Sequence, residues 1–118
     1  YIFVTGFTCA KNTALHVKKL IETKNVKTVN IITSHPTGDD DFSCAEYIKT
    51  LILNQKGLSA DKVSERIKNS EAAKKFFAPN NDIFNEDDIR ICSTEIPTDF
   101  TMQIDTSDSP PSIRTVTL

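Results

Sequence analysis

The chain has 118 residues, a formal net charge of −2 and 38% hydrophobic residues, which is the composition of one globular domain with its own core. The lack of a basic excess argues against a nucleic-acid partner, and no apolar run reaches the roughly 20 residues of a membrane-spanning helix. The three cysteines lack Cys-x-x-Cys or Cys/His spacing, which disfavours a zinc site or a disulfide scaffold and favours a reduced, cytoplasmic protein.

The first half of the chain predicts alternating strands and helices. Residues 1–7 (YIFVTGF) are rich in β-branched and aromatic residues and predict a buried strand, and an apolar stripe predicts a helix over 10–23. Residues 26–34 (VKTVNIITS) predict a second strand that is apolar on both faces, followed by a helix over 40–54. Because a helix-length crossover joins the two strands, we expect them to pair in parallel through a right-handed connection.

The second half predicts shorter elements. A serine N-cap predicts a largely exposed helix over 59–69, and residues 70–77 predict another short helix. Alternating apolar residues predict strands over 89–94 and 99–106. Their apolar side chains are expected to face the core: Ile89, Ile91, Phe100, Met102 and Ile104. Residues 107–118 are expected to form either a flexible tail or an edge strand.

Together these elements predict a single α/β domain over residues 1–118. Helices on both faces of a mainly parallel or mixed sheet would make a three-layer α/β/α sandwich. The chain opens with Tyr1 and its one methionine is Met102, from which we expect a domain of a longer protein.

Three consecutive aspartates, Asp39, Asp40 and Asp41, begin the second predicted helix after the loop SHPTG. One or two aspartates suit a helix N-terminus, where they cap backbone N–H groups and complement the helix dipole. Three neighbouring carboxylates repel one another, and a divalent cation would relieve that repulsion. The loop leaves the C-terminal end of a predicted strand, where ligands of α/β proteins collect. The residues alone favour capping and permit a Mg²⁺ site.

Two other loops contain groups that could contact a phosphorylated substrate. His35 could act as a general acid toward a leaving alkoxide, although a lone loop histidine is more often only exposed. In the first strand-to-helix turn, Gly6 permits a tight backbone, and Thr5, Thr8 and the amides ahead of Ala10 could contact an oxyanion. The turn lacks the spacing of a P-loop. Five residues after Cys9 stands Leu15, whereas cysteine phosphatases have arginine, so Cys9 is not expected to be a nucleophile.

Four stretches resemble the 2-phosphosulfolactate phosphatase family: VTGFTCAKNTA, IITSHPTGDDDFSCAEYIKTLI, SEAAKKFF and NEDDIRICST. Asp40 and Asp41 stand where the family has its acidic pair, and Cys44 and Ala45 match the Cys-Ala that often follows. Cys9 stands where the family usually has asparagine. The resemblance covers nearly the whole chain and corresponds to the C-terminal half of such a protein.

The resemblance implies a three-layered α/β/α fold with two related halves and a magnesium-dependent hydrolysis of 2-phospho-3-sulfolactate, a step towards coenzyme M. We expect a small anionic phosphorylated substrate, with Mg²⁺ at Asp40 and Asp41. The expected catalytic residues are His35 and Asp41, and the expected substrate contacts are Gly6, Thr8, Cys9 and Gly38.

The N-terminal half of the same protein is the partner that the resemblance implies. It would supply the family's Asp-Val-Leu-Arg-Ala-Thr stretch, which this chain lacks, so the chain alone is expected to be inactive. A homo-oligomer is also compatible with the sequence. The alternative function is an inactive α/β domain that binds a ligand, completes a core or forms a dimer.

Overall fold

The computed structural model describes residues 1–80 and 82–118. Within that part of the chain it contains four α-helices and one three-stranded sheet. The strands are β1 (Phe3–Val4), β2 (Phe100–Asp105) and β3 (Ser112–Thr117). The helices are α1 (Ala10–Lys24), α2 (Asp39–Leu53), α3 (Ala60–Asn69) and α4 (Glu86–Cys92). The chain is therefore α/β, as the sequence predicts.

The sheet is antiparallel and its strands follow the order β1-β2-β3. β2 and β3 pair along their full lengths, so the end of the chain forms an edge strand, the second of the two expected outcomes for residues 107–118. β1 is only two residues long, because Phe7–Cys9 turns into a 3₁₀ helix. The prediction of a mainly parallel or mixed sheet is wrong for the described residues, since the strand expected to pair in parallel does not form.

That missing strand is the one predicted over residues 26–34. The segment has no regular structure, and none of its residues makes a backbone–backbone hydrogen bond within the described chain. Its apolar side chains reach solvent, and Ile32 is 89% exposed. β-Branched residues form a strand only where a neighbouring strand offers partners, and the described chain offers none here.

Asparagine ends both long helices. Asn25 follows α1 with φ 54° and Asn54 follows α2 with φ 53°, the left-handed conformation that closes a helix. Gly57, which suits such an ending by sequence, serves another purpose. A Cβ at Gly57 would lie 2.8 Å from Thr50 Cγ2 and closer still to Thr50 Oγ1, so glycine lets the loop approach α2.

Helix α4 replaces the strand predicted over residues 89–94. The Asn85 side chain caps the helix by accepting from the Asp87 N–H at 2.9 Å. Acidic residues fill the first turn, where the helix dipole favours them. These helix-start signals outweigh the β-branched residues, and Ile89 is consequently buried whereas Ile91 is 52% exposed.

The N-cap predicted for α3 is confirmed, since Ser59 Oγ accepts from the Lys62 N–H. After α3, only Lys74–Phe76 forms a 3₁₀ turn in place of the predicted helix over residues 70–77. The buried apolar core joins α1, α2, α3 and α4 with the first turn of the chain, through Phe7, Ala10, Ala14, Tyr47, Ile48, Val63, Ile67, Ala73 and Ile89.

One face of the sheet packs on α1. Thr101 of β2 is fully buried there, with its hydroxyl 2.8 Å from Thr13 Oγ1. Side chains alternate along a strand, so Phe100, Met102 and Ile104 lie on the opposite face, where each is partly exposed. The expectation that these three side chains face the core is wrong. The three-layer sandwich is not confirmed, because α1 is the helix that packs on the sheet in the described residues.

None of the helices in the described residues combines the length and the apolar character needed to cross a bilayer.

Candidate functional site

The start of α2 places the three aspartates in one turn. Gly38 is the N-cap residue, with φ −73° and ψ 115°, and no side chain caps the helix. Asp39, Asp40 and Asp41 are therefore its first three residues, not its cap. Their charges still lie at the end of the helix where the dipole favours anions. The three carboxylates differ in their hydrogen-bond partners.

Asp39 forms a structural ion pair. The Arg66 guanidinium of α3 donates to both carboxylate oxygens of Asp39, and its Nη1 donates to Glu46 Oε2 at 2.8 Å. The hydrogen bond from Arg66 is the main cause that lowers the pKa of Asp39. The hydrogen bonds to Asp39 and then to Glu46 raise the pKa of Arg66. This cluster fastens the start of α2 to α3 and leaves Asp39 little capacity for a ligand.

Asp41 fixes the loop in front of the helix. Its Oδ2 accepts from Ser34 Oγ and from the His35 backbone N–H at 2.9 Å. Asp41 Oδ1 and the two carboxylate oxygens of Asp40 make no hydrogen bond within residues 1–80 and 82–118. Carboxylate oxygens thus remain available on these two residues.

Gly38 lies where three neighbouring side chains come close together. A Cβ on Gly38 would lie 3.0 Å from Asp40 Oδ1, 3.8 Å from Asp41 Oδ2 and 3.4 Å from His35 Cβ. A side chain at this position would crowd the Asp40 carboxylate, so glycine lets these groups lie close together. The structure therefore brings Gly38, His35, Asp40 and Asp41 together, as the sequence predicts.

The donor set can be tested against the Mg²⁺ that the resemblance implies. Among the described residues, no group of three or more His, Cys, Asp or Glu side chains could hold a metal ion. Mg²⁺ does not need such a cage, because it keeps several waters and often takes only one or two carboxylates together with substrate phosphate. Asp40 and Asp41 fit that partial role.

His35 is exposed beside the carboxylates. Its Nδ1 lies 3.3 Å from the Thr37 backbone nitrogen and 3.2 Å from Thr37 Oγ1. Thr37 therefore holds the Nδ1 side of the ring, and Nε2 makes no hydrogen bond within the described residues.

A cavity of about 930 Å³, the central cavity, lies next to this turn. It is lined by residues 1–7, by residues 26 and 28–34, by helices α1 and α2 and by part of the segment 70–76, and both Asp40 and Asp41 line it. Its described lining contains a single basic residue, Lys75. The Lys75 ammonium lies 4.5 Å from the centroid of the Phe84 ring. Sequence analysis missed Lys75 because it belongs to no recognisable motif.

The three expected substrate contacts of the first strand-to-helix turn have two different environments: one lines the central cavity, and the others pack within the protein. Gly6 lines the central cavity, but Thr8 and Cys9 do not. The Thr8 carbonyl accepts from the Ile96 N–H at 2.9 Å, and the buried Cys9 Sγ lies 3.5 Å from Thr5 Oγ1. The structure thus brings Gly6, but not Thr8 or Cys9, to the cavity that the carboxylates share.

The cysteines are free thiols. Cys44 lies on α2, three residues after Asp41. Burial is the main cause that raises the pKa of its thiol to about 12, and the nearby Asp41 and Cys9 raise it further. A thiol with so high a pKa is a packing group and not a nucleophile. Cys92 is exposed at the end of α4.

Tyr47 is a second group that sequence analysis missed. Its buried hydroxyl donates to Glu95 Oε1 at 2.7 Å, and burial followed by this hydrogen bond raises its pKa. The ring also packs edge-on against Phe7. This contact ties α2 to the segment after α4, and it could not be read from spacing because 48 residues separate its members.

Comparison with known proteins supports the family resemblance. The chain is 45% identical over 116 residues to the probable 2-phosphosulfolactate phosphatase of Bacillus subtilis (strain 168). The match covers 98% of this chain and 50% of the relative, so the chain spans about half the length of the curated relative. No family model matches the chain, and no solved structure matches it. The resemblance to 2-phosphosulfolactate phosphatases noted from the sequence is confirmed.

Proposed function

We propose that this chain is the C-terminal half of a magnesium-dependent phosphatase that hydrolyses the phosphate monoester of a small anionic hydroxy acid. The observation that carries the proposal is the 45% identity over nearly the whole chain to a probable 2-phosphosulfolactate phosphatase. By the same likeness, 2-phospho-3-sulfolactate is the substrate we propose, in the cytoplasm and on a route towards coenzyme M.

Asp40 and Asp41 are the residues we assign to Mg²⁺. The bound ion would neutralise phosphate oxygens during in-line displacement at phosphorus. Without a cation, two carboxylates at this turn would repel the anionic substrate. Ser34 and the His35 N–H hold one oxygen of Asp41, which orients the other oxygen before a ligand arrives.

His35 and Gly38 complete this side of the site. His35, positioned by its contacts with Thr37, would in its protonated form give a proton from Nε2 to the leaving oxygen of the substrate. Gly38 lacks the Cβ that would crowd Asp40 Oδ1 and His35 Cβ. Both roles depend on the short loop that Asp41 fixes to α2.

The rest of the protein must supply positive charge. A phosphorylated sulfonate or carboxylate carries several negative charges, whereas the described lining of the central cavity contains two carboxylates and one lysine. We therefore propose that the N-terminal half contributes the groups that bind the anion. The chain alone is expected to show no turnover.

Magnesium titration of the full-length protein, meaning the longer protein expected to contain this chain, tests the metal assignment. We expect backbone NMR shifts centred on residues 38–41 in the wild type. Asp40→Asn and Asp41→Asn should remove the response. Asp39→Asn is the matched control, because its carboxylate is already paired with Arg66, and it should respond as the wild type does. No response up to millimolar Mg²⁺ would contradict the assignment.

A second candidate is an inactive structural or binding half. The observation in its favour is the large exposed apolar surface, which includes Ile2, Val4, Ile32 and Ile113. This candidate predicts that the full-length protein folds and assembles normally but releases no phosphate from any small phosphate monoester.

A further inference from the structure

The central cavity separates two stretches of backbone that lack strand partners. β1 pairs with β2 along one edge, and its other edge has no partner strand in the described chain. Residues 26–34 make no backbone–backbone hydrogen bond there either. Residues 1–5 and residues 26 and 28–34 line the central cavity. Two stretches of unpaired, strand-like backbone thus border the same opening.

The opening is a large cleft with a mainly apolar lining. An exposed apolar surface of this kind marks a site of interaction with another molecule. The central cavity measures about 930 Å³. Apolar side chains of the two long helices line it, among them Val17, Leu20, Ala45, Ile48 and Ile52.

The whole chain is also more open than its size requires. Its radius of gyration is 15.3 Å, whereas a compact domain of this length has about 13.5 Å. It exposes 8142 Å², whereas a compact protein of 13.2 kDa exposes about 6,400 Å². The excess of roughly 1,700 Å² lies on this chain alone and is about twice the roughly 800 Å² that one partner contributes to a standard interface. A macromolecular partner accounts for such an area, and a small ligand does not.

We propose that the central cavity is a slot for a β-strand from the half of the protein that lies outside this chain. The inserted strand pairs with the free edge of β1 on one side and with residues 26–34 on the other. Strand addition satisfies both rows of backbone groups at once. The relative is about twice as long as the matched region, so the whole protein has enough additional chain to supply the strand.

The composition of residues 26–34 fits this occupant. Val26, Val29, Ile31 and Ile32 favour a sheet, and pairing with the inserted strand would give this segment the neighbour that it lacks. Asp40 and Asp41 line the same opening, so a seated strand also brings the other half of the protein to the carboxylate pair. The proposal rests on the half-length match and on the unpaired backbone beside the central cavity. It does not depend on which reaction the protein catalyses.

Hydrogen exchange of the full-length protein tests the slot. We expect the amides of residues 26–34 to exchange as slowly as those of β2, on the order of 100-fold or more slower than those of the loop at 106–109. Exchange of residues 26–34 as fast as that loop would overturn the proposal. Protection that appears only as the protein dimerises with rising concentration would overturn it too, because a second copy would then fill the slot.

A matched pair of substitutions tests the slot by stability. Ile32 and Ile83 are 89% and 81% exposed, but only Ile32 lines the central cavity. In the full-length protein, Ile32→Asp should lower Tm by about 5 °C, whereas Ile83→Asp should leave it nearly unchanged. Equal effects of the two substitutions would overturn the proposal. Neither readout depends on phosphate release, so a failure of the slot is distinguishable from a failure of the proposed activity.

Discussion

Asp39 and Asp41 stand two residues apart in one helical turn, and their partners give them different roles. Arg66 takes both oxygens of Asp39. Ser34 and the His35 backbone take one oxygen of Asp41 and leave the other available. Sequence analysis singled out Asp40 and Asp41 from a resemblance. It could not find the ion pair, because Arg66 is 27 residues away along the chain.

The Asp39–Arg66 pair predicts a pH-dependent contribution to stability. Because Arg66 lowers the pKa of Asp39, the contribution is fully present above the unfolded carboxyl pKa of about 3.9 and is lost as pH falls through the lower folded-state value. Asp39 is half exposed, so Asp39→Asn should lower the free energy of unfolding by only about 0.5 kcal/mol at pH 7. Urea unfolding of the full-length protein measures this. A difference between the two proteins that persists undiminished at pH 2 would contradict the explanation.

At the scale of elements, local signals placed the helices well and misplaced two strands. α1 and α2 have apolar stripes and ending residues of their own, and their bounds lie within a residue or so of the predicted ones. α4 was misread as a strand because Ile89 and Ile91 alternate, although Asn85 and the acidic turn favour a helix. Residues 26–34 have strand composition but no strand beside them. Pairing depends on distant chain, and a local pattern cannot reveal it.

The loop after α2 predicts a steric coupling between two residues. Gly57→Ala places a Cβ against the Thr50 side chain, and it should cost about 1–2 kcal/mol of stability in the full-length protein. The cost should fall by at least about 0.5 kcal/mol when Thr50 is already alanine, since both close atoms are then gone. A double-mutant cycle by urea denaturation measures the coupling.

Gly6→Ala is the control for this cycle. A Cβ on Gly6 would meet nothing within 4 Å, so this substitution should change the stability by less than about 0.5 kcal/mol. An equal cost of Gly57→Ala in both Thr50 backgrounds would show that backbone effects, and not the contact with Thr50, require the glycine.

For the whole molecule, the sequence predicted an α/β chain that corresponds to half of a longer protein. The half-length match to the Bacillus relative and the excess exposed surface agree with that expectation. The parallel sheet was not found in the described residues. An inserted strand would change the sheet around β1, so its final order belongs to the whole protein and could not follow from this chain.

The central claim is that Asp40 and Asp41 hold the Mg²⁺ of a phosphatase while Asp39 does not. Phosphate release from 2-phospho-3-sulfolactate by the full-length protein, with Mg²⁺ and with EDTA, tests it most directly. We predict activity that EDTA abolishes, and a kcat/KM lowered on the order of 100-fold by Asp40→Asn and by Asp41→Asn, with Asp39→Asn close to the wild type. Wild-type kcat/KM in both Asp40→Asn and Asp41→Asn, or full activity in EDTA, would contradict the claim.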